Sequence, residues 1–345
     1  MHRCFELAKL GEGNVAPNPM VGAVLVHQDR IIGEGYHCKY GQAHAEVNCI
    51  NSVRGEDLHL VDKSTLYVSL EPCAHFGKTP PCADLVIKSK IPVVVVACRD
   101  SYLQVDGKGI QKLRAAGIEV ITPVLEKEAL ELNKRFFAFH NQQRPYIILK
   151  WAQTSNQKIG NSDCSRLLIS NEITNREVHK WRSKEASILV GTTTALKDNP
   201  SLSTRLYAGN NPLRLVIDSA LKLPETLQLF DGFVKTIVFN TVRHEDKGQV
   251  VLYKISKEKS FIPQILEVLF QLNIQSMLVE GGARLLQSFI DENYWDEARV
   301  ITNTALTIPA GIQAPSLFNA ERSAGEIVLA DTIEYYKNSI NGYPA

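Results

Sequence analysis

Two short stretches of this chain, far apart in sequence, carry residue types that suit one chemistry: His44-Ala45-Glu46, and Pro72-Cys73 with Pro81-Cys82. One imidazole and two thiolates make a tetrahedral Zn²⁺ site that keeps its fourth position for water. Zinc lowers the pKa of such a water to about 7. Glu46, two residues beyond His44, can take that proton as hydroxide attacks an amidine-like ring carbon. It can then return the proton to the departing ammonia, acting first as base and then as acid. A closed structural zinc site would need a fourth protein ligand. His75 could supply one, but Glu46 would then have no task.

The elements that must hold these residues are legible in the hydrophobic periodicity. Residues 2–10 read as a helix, and 21–26 and 31–36 as strands joined by a hairpin at 27–30. His44 opens a helical stretch to about Arg54, so the imidazole sits at a helix N-terminus. A strand at 65–69 leads to the cysteine segment, and a second helix runs from about Cys82 to Lys88. The partial positive charge at helix N-termini favours thiolate over thiol. A β-branched strand at 93–98 and further periodic stretches at 109–116, 118–121 and 125–140 continue the alternation. Asn141-Gln142-Gln143-Arg144-Pro145 is polar and ends in a helix-breaking proline, which places a domain boundary there and divides the chain into 1–143 and 144–345. A second series follows: strands at 146–152, 187–191, 213–217, 235–240, 276–280 and 297–303, and helices at 171–183, 262–272 and 283–291. Such alternation predicts α/β architecture, with mixed or parallel sheets covered on both faces.

A length of 345 residues exceeds what one core usually supports. Lys and Arg number 38 against 37 acids, with no basic run, so nothing asks for nucleic acid. No apolar run has the length that crosses a bilayer, and no signal peptide precedes the first helix. The expected setting is the cytoplasm. Seven cysteines, an odd number scattered through a large chain, do not make a disulfide framework. Five of them read as small buried hydrophobes. Cys73 and Cys82 differ in that each follows a proline.

The His-x-Glu and Pro-Cys pattern is that of zinc-dependent nucleobase deaminases, but eight residues separate the cysteines here. The segment Pro72-Cys73-Ala74-His75-Phe76-Gly77-Lys78-Thr79-Pro80-Pro81-Cys82 resembles the long cysteine loop of the bifunctional riboflavin-biosynthesis deaminase/reductase family. So do Ala16-Pro17-Asn18-Pro19-Met20-Val21-Gly22-Ala23-Val24 and Gly35-Tyr36-His37. Cytidine and tRNA adenosine deaminases resemble only the zinc core and typically have two residues between their cysteines. The resemblance implies an N-terminal cytidine-deaminase-like three-layer α/β/α domain followed by a dihydrofolate-reductase-like α/β domain. It implies hydrolytic deamination of a phosphoribosylamino-diaminopyrimidinone, then NADPH-dependent reduction of the ribosyl group to ribityl. Asn18 and His37 are implied to face the pyrimidine or ribose, and His75, Lys78 and Thr79 to line the pocket rim. A lysine and a histidine there suit a phosphate. A homo-oligomer, dimer or tetramer, is implied as well.

Several pieces of the second half match that reductase domain: Tyr146 to Lys150, Gly191 to Pro200, Leu202 to Arg205, Val216 to Ser219 and Val279 to Ala283. Glu280-Gly281-Gly282 follows a strand and opens a helix, so backbone N–H groups can approach a pyrophosphate, although this is not the G-x-G-x-x-G fingerprint. The resemblance implies cofactor contacts at Ala152, Leu168, Thr194, Asp198, Ser219, Gly282, Ala283, Arg284, Leu285, Leu286, Gln287 and Ser288. It implies substrate contacts at Arg166, Arg182, Leu202, Arg205 and Glu280, where the two inner arginines suit a phosphate by charge and fork geometry. Lys150, read as ending its strand, could polarise the opened sugar. Three positions depart from the family. Thr154-Ser155-Asn156-Gln157 replaces the usual Ser-x-Asp-Gly, which predicts a different turn. Leu168 stands where a stacking tryptophan is usual, and Arg166 where a small polar residue is usual. An alternative reading follows: a zinc deaminase whose reductase-like domain only binds ligand.

Overall fold

The computed structural model describes residues 1–76, 80–101, 106–162 and 167–341. Lys78, Thr79 and Arg166, expected at the sites, lie outside the described residues, as does Cys164. The chain divides into two compact units, Met1–Gln143 and Arg144–Ala345.

The first unit runs α1 (His2–Lys9), β1 (Gly22–His27), β2 (Arg30–Tyr36), α2 (Ala45–Asn51), β3 (Thr65–Val68), α3 (Cys82–Lys88), β4 (Val93–Val96), α4 (Lys108–Ala115), β5 (Glu119–Ile121), α5 (Glu126–Leu132) and α6 (Lys134–Gln142). Its five-stranded sheet has the order β2-β1-β3-β4-β5. The β1 strand pairs antiparallel with β2 and β3, and β3, β4 and β5 are parallel. Alternate residues of a strand point to opposite faces, and the core follows this rule. Ala23, Leu25, Leu66, Val68, Val94 and Val96 pack with Ala45, Cys49, Ala83, Val86, Ile110 and Leu113 of α2, α3 and α4. Val24 packs with Cys4 and Leu7 of α1 on the other face. The result is three layers. Gly22 and Gly35 permit close approaches: a Cβ on Gly22 would lie 2.0 Å from the Cys4 carbonyl oxygen, and one on Gly35 would lie 2.2 Å from the Cys49 nitrogen. The periodic stretch 125–140 is not one helix. It breaks at Asn133, whose backbone (φ −108°, ψ 25°) ends α5 and starts α6.

The second unit contains β6 (Tyr146–Thr154), β7 (Lys158–Asn161), α7 (Glu172–Lys184), β8 (Ser187–Gly191), α8 (Thr192–Asp198), β9 (Leu213–Ile217), β10 (Thr236–Asn240), β11 (Glu245–Asp246), β12 (Val250–Lys254), α9 (Phe261–Gln271), β13 (Ser276–Val279), α10 (Ala283–Asp291), β14 (Glu297–Asn303), β15 (Gly311–Gln313), β16 (Ala320–Val328) and β17 (Asp331–Asn338). A ten-stranded sheet has the order β11-β12-β10-β9-β8-β13-β6-β14-β17-β16, and β15 pairs with β7 in a separate ribbon. The sheet is parallel from β12 to β14 and antiparallel at both edges. Along β6, Ile147, Leu149 and Trp151 face a core built with α9 and α10. The intervening position 150 turns a lysine to the opposite face. Lys150 lies inside a nine-residue strand and does not end it. Apolar residues with good β-propensity continue to Trp151, and β14 pairs alongside as far as Thr154.

The turn between β6 and β7 forms without glycine. Gln157 takes φ 59°, in the left-handed region, and its N–H donates to the Thr154 carbonyl at 2.9 Å. The Asn156 amide donates to the Ile308 carbonyl at 2.8 Å, anchoring the loop. A side chain in this region costs about 1–2 kcal/mol that glycine avoids, partly offset by glycine's greater freedom when unfolded. Gln157→Gly is therefore expected to raise stability by about 0.5–1 kcal/mol in denaturant melts. A loss of stability would show that the Gln157 side chain contributes more than its backbone strain costs.

Candidate active sites

In the first unit, three elements bring the metal-ligating types together. His44 is the N-cap of α2, Cys73 follows the extension of β3, and Cys82 is the first residue of α3. One ligand atom from each lies within 4.8 Å of the others, and among the described residues this is the group that could hold a metal. His44 Nδ1 is 3.6 Å from Cys73 Sγ and 3.4 Å from Cys82 Sγ. Ordinary Zn–S and Zn–N bonds at a tetrahedral angle predict a separation of about 3.5 Å, so the donor set fits zinc. His75 is half-buried and not part of this group, so among the described residues the group offers three ligand atoms.

Without a metal the two cysteines differ in charge. Cys73 is held down to about 4 by hydrogen bonding with Cys82 and then with His44, against the effect of burial. The Cys82 N–H also donates to Cys73 Sγ at 3.3 Å. Cys82 itself is pushed up by its partner thiolate and by burial. Glu46 is 3% exposed, and burial, followed by the Cys73 charge, pushes its carboxyl up to about 7. His37 is buried beside this centre, its ring edge-to-face with His44 at 5.3 Å. One tautomer satisfies both its nitrogens: Nδ1–H donates to the Ala43 carbonyl and Nε2 accepts from the Asn18 amide, each at 3.1 Å. Burial lowers its pKa and keeps the ring neutral.

Sequence reasoning missed Glu71. Its carboxylate is buried and accepts four backbone N–H groups, from Asp100 at 3.2 Å, Gly107 at 3.0 Å, Gly109 at 2.9 Å and Ile110 at 3.1 Å. Three of these donors lie at or beside the start of α4, where the helix dipole also favours an anion. Gly109 lets the Pro72 carbonyl come close, since a Cβ there would sit 1.9 Å from that oxygen. Cys73 is thus seated by α4 through the two residues before it. The only signal in the sequence was an acid beside Pro72-Cys73. Glu71→Gln is expected to cut zinc affinity by about 10-fold, the scale seen for groups that orient metal ligands. Chelator competition measures this, and affinity unchanged within twofold would contradict the seating role.

In the second unit a cleft of about 1160 Å³ opens where α8 and α10 begin. It brings together Lys150, Ala152, Leu168, Thr194, Asp198, Arg182, Leu202, Arg205, Glu280 and the run Gly282–Leu286. Ser219, Gln287 and Ser288 do not line it. The Ser219 carbonyl accepts from Thr241, the Gln287 amide binds Asp291 and Ser316, and the Ser288 hydroxyl donates to the Arg284 carbonyl. Leu168 is 73% exposed on the rim, so it offers no buried stacking surface. The N-caps of α8 and α10, Gly191 and Gly282, leave the first helical N–H groups without side-chain caps. Two such ends facing one cleft suit the pyrophosphate of a dinucleotide.

Arg182 is not a free phosphate ligand. It forms a two-point pair with Glu280, with Nε–Oε1 and Nη2–Oε2 both 2.7 Å, and its Nη1 donates to the Ser203 carbonyl at 3.1 Å. Lys150 Nζ lies 3.9 Å from Glu280 Oε2. Burial would raise the Glu280 carboxyl, but Arg182 and Lys150 overcome it and hold it at about 2. Burial, with Arg182 nearby, lowers Lys150. His179, also missed from sequence, is pushed down to about 4 by burial and then by Arg182 and Arg205, and so stays neutral. Arg205, exposed on the rim, donates to the Ser201 hydroxyl at 2.8 Å.

A His-Cys-Cys cluster beside a buried glutamate in one unit and a large cleft lined by charged residues in the other fit a zinc-dependent deaminase joined to a reductase. Comparison with known proteins gives the same division. Residues 1–98 match the cytidine and deoxycytidylate deaminase zinc-binding region, and residues 145–323 match the RibD C-terminal domain. The chain belongs to the RibD family of riboflavin biosynthesis proteins. It is 39% identical over 330 residues to riboflavin biosynthesis protein RibD of Bacillus amyloliquefaciens, covering 93% of this chain and 87% of that one. It is 40% identical over 301 residues to RibD of Aquifex aeolicus, covering 86% and 83%. The crystal structure of a diaminohydroxyphosphoribosylaminopyrimidine deaminase/5-amino-6-(5-phosphoribosylamino)uracil reductase from Thermotoga maritima superposes with a TM-score of 0.89 at 35% identity, covering 98% of this chain and 97% of that one. Acinetobacter baumannii RibD superposes with a TM-score of 0.86 at 29% identity, covering 97% of each.

Proposed function

We propose that the chain catalyses two successive steps of riboflavin biosynthesis in the cytoplasm, deamination by residues 1–143 and reduction by residues 144–345. The substrate of the first step is a phosphoribosylamino-diaminopyrimidinone. The product of the second carries a ribityl chain. The observation that carries this reading is the convergence of His44, Cys73 and Cys82 beside buried Glu46, in a chain with RibD relatives along most of its length. When bound, zinc supplies Lewis acidity toward water and NADPH supplies the reducing equivalent. His44, Cys73 and Cys82 hold the metal. Glu46, enclosed beside it, moves the proton from the incoming water to the leaving ammonia as the C–O bond forms and the exocyclic C–NH2 bond breaks. His37 and Asn18 fix the substrate, with His75, Lys78 and Thr79 at the rim.

In the second unit the substrate must present its open-chain sugar. A hydride equivalent adds to the anomeric carbon, and Lys150, Asp198 and Glu280 are the polar groups proposed nearest to it. Arg205, exposed on the rim, is the arginine proposed to meet a phosphate. Arg182 holds Glu280 as an anion and so sets the charge of that wall. Arg166 and Leu202 complete the substrate side. Ala152, Leu168, Thr194, Asp198 and Gly282–Leu286 are proposed for the cofactor, with Ser219, Gln287 and Ser288 outside the cleft wall. The buried Lys150–Glu280–Arg182 cluster favours a working reductase over a unit that only binds ligand, because buried charges are costly to retain without use.

Mass spectrometry of products, with NADPH present, tests both halves. Glu46→Ala should lose deamination by at least about 100-fold while keeping zinc and still reducing a supplied deaminated intermediate. Lys150→Ala should stop reduction and leave deamination intact. Loss of zinc in the first variant would overturn the proton-transfer role. Loss of both activities in the second would overturn the division of labour.

We also propose a homo-oligomer built on β16. This edge strand is exposed from Glu321 to Ile327, with Ile327 80% exposed and Leu329 beyond it 72% exposed. An unpaired edge of this length invites another strand. An antiparallel pair centred on Ala324 sets Arg322 opposite Glu326. Sedimentation should give a dimer or tetramer, shifted toward monomer by Ile327→Lys. A monomer at tens of micromolar would overturn the proposal.

No helix among the described residues is long and apolar enough to cross a membrane.

A further inference from the structure

We infer that Asn133 is the positioning residue of the deaminase substrate wall, holding the Asn18–Met20 segment against the metal centre from the far end of the unit. The inference rests on the reading that Asn18 contacts substrate. Asn133 is 3% exposed at the junction of α5 and α6. Asparagine at a helix N-cap ordinarily turns its side chain onto the helix's own first N–H groups. Asn133 makes no such cap. Its Oδ1 instead accepts the Met20 N–H at 2.8 Å, and its Nδ2 donates to the Met20 carbonyl at 2.9 Å. One side chain thus satisfies both polar groups of a residue 113 positions away.

Met20 lies two residues before β1 and outside the strand pairing that begins at Gly22. Two residues earlier, Asn18 donates to His37 Nε2, and the His37 ring meets that of the metal ligand His44. The backbone after Met20 is already fixed: Gly22 and Ser69 exchange two hydrogen bonds at 3.0 Å, and the His37 N–H donates to the Val21 carbonyl at 2.9 Å. The Asn133 clasp sets the one stretch between this fixed frame and the Asn18 amide. Asn133 also lies beyond the residues 1–98 that match the general zinc-binding region. The metal-ligating side chains all lie within that region, and the aim of the wall that meets substrate is set from outside it.

The test uses the zinc-loaded full chain and steady-state deamination of the phosphoribosylamino-diaminopyrimidinone. Asn133→Ala should raise KM roughly 10-fold, the scale of a lost hydrogen bond, with kcat changed less than about twofold. Zinc content and reductase activity should stay at parental values. Asn133→Asp, which can accept from Met20 but cannot donate to it, should fall between the two and covers poor folding of the alanine variant. Asn18→Ala should raise KM as well, and adding Asn133→Ala to it should change KM no further. A lower melting temperature with parental KM in both Asn133 variants, while Asn18→Ala raises KM, would reduce Asn133 to a structural residue. A parental KM in Asn18→Ala would instead sink the reading of Asn18 on which the inference rests.

Discussion

A carboxylate that receives four backbone N–H groups is the constraint behind the first active site. Glu71 has no chemical task of its own, yet the direction of the chain into Pro72-Cys73 depends on it. Without a bond to every oxygen lone pair it would be an expensive buried charge. With four donors and a helix N-terminus beside it, it becomes a rigid joint between β3, the loop after β4, and α4. Cys82 is then placed by its own helix, and His44 by the start of α2. Three ligands from three elements meet because each is fixed at a strand end or helix start.

The second unit meets the same problem with opposite means. Its reactive groups sit on one face of a long parallel strand and on the helices beside it. Burial there is offset by pairing: Arg182 and Lys150 keep Glu280 ionised, and Glu280 keeps both cations tolerable. Removing one member would leave the others uncompensated, so the cluster behaves as a unit.

The metal centre was legible in sequence because its chemistry needs rare residue types in a fixed order, and His44, Glu46, Cys73 and Cys82 met as expected. Most helices and strands up to β14 were legible because their apolar periods are strong, while the short elements β7, α8, β11 and β12 went unread. The C-terminal hairpin was not. β16 reads Ala-Glu-Arg-Ser-Ala-Gly-Glu-Ile-Val, with almost no buried side chain to impose a period. Lys150 was given the right neighbourhood but the wrong place in its strand, because the period of two does not show where pairing stops. Arg182 was read by resemblance, charge and fork geometry, and none of these can reveal that Glu280, 98 residues away, has already claimed its fork. Glu71 and Asn133 were invisible for a related reason. Each works through backbone groups of distant residues, and backbone groups leave no mark on residue type.

The distance of Asn133 from Met20 has a consequence in time as well as space. A chain synthesised from its N-terminus has emerged through Ile110, and so possesses every metal-ligating side chain and the last N–H donor to Glu71, about twenty residues before Asn133 exists. The ligand set and the clasp on Met20 are thus completed in order along the chain. The side chains that converge on His44 and the carboxylate that seats Cys73 all precede the residue that fixes Met20.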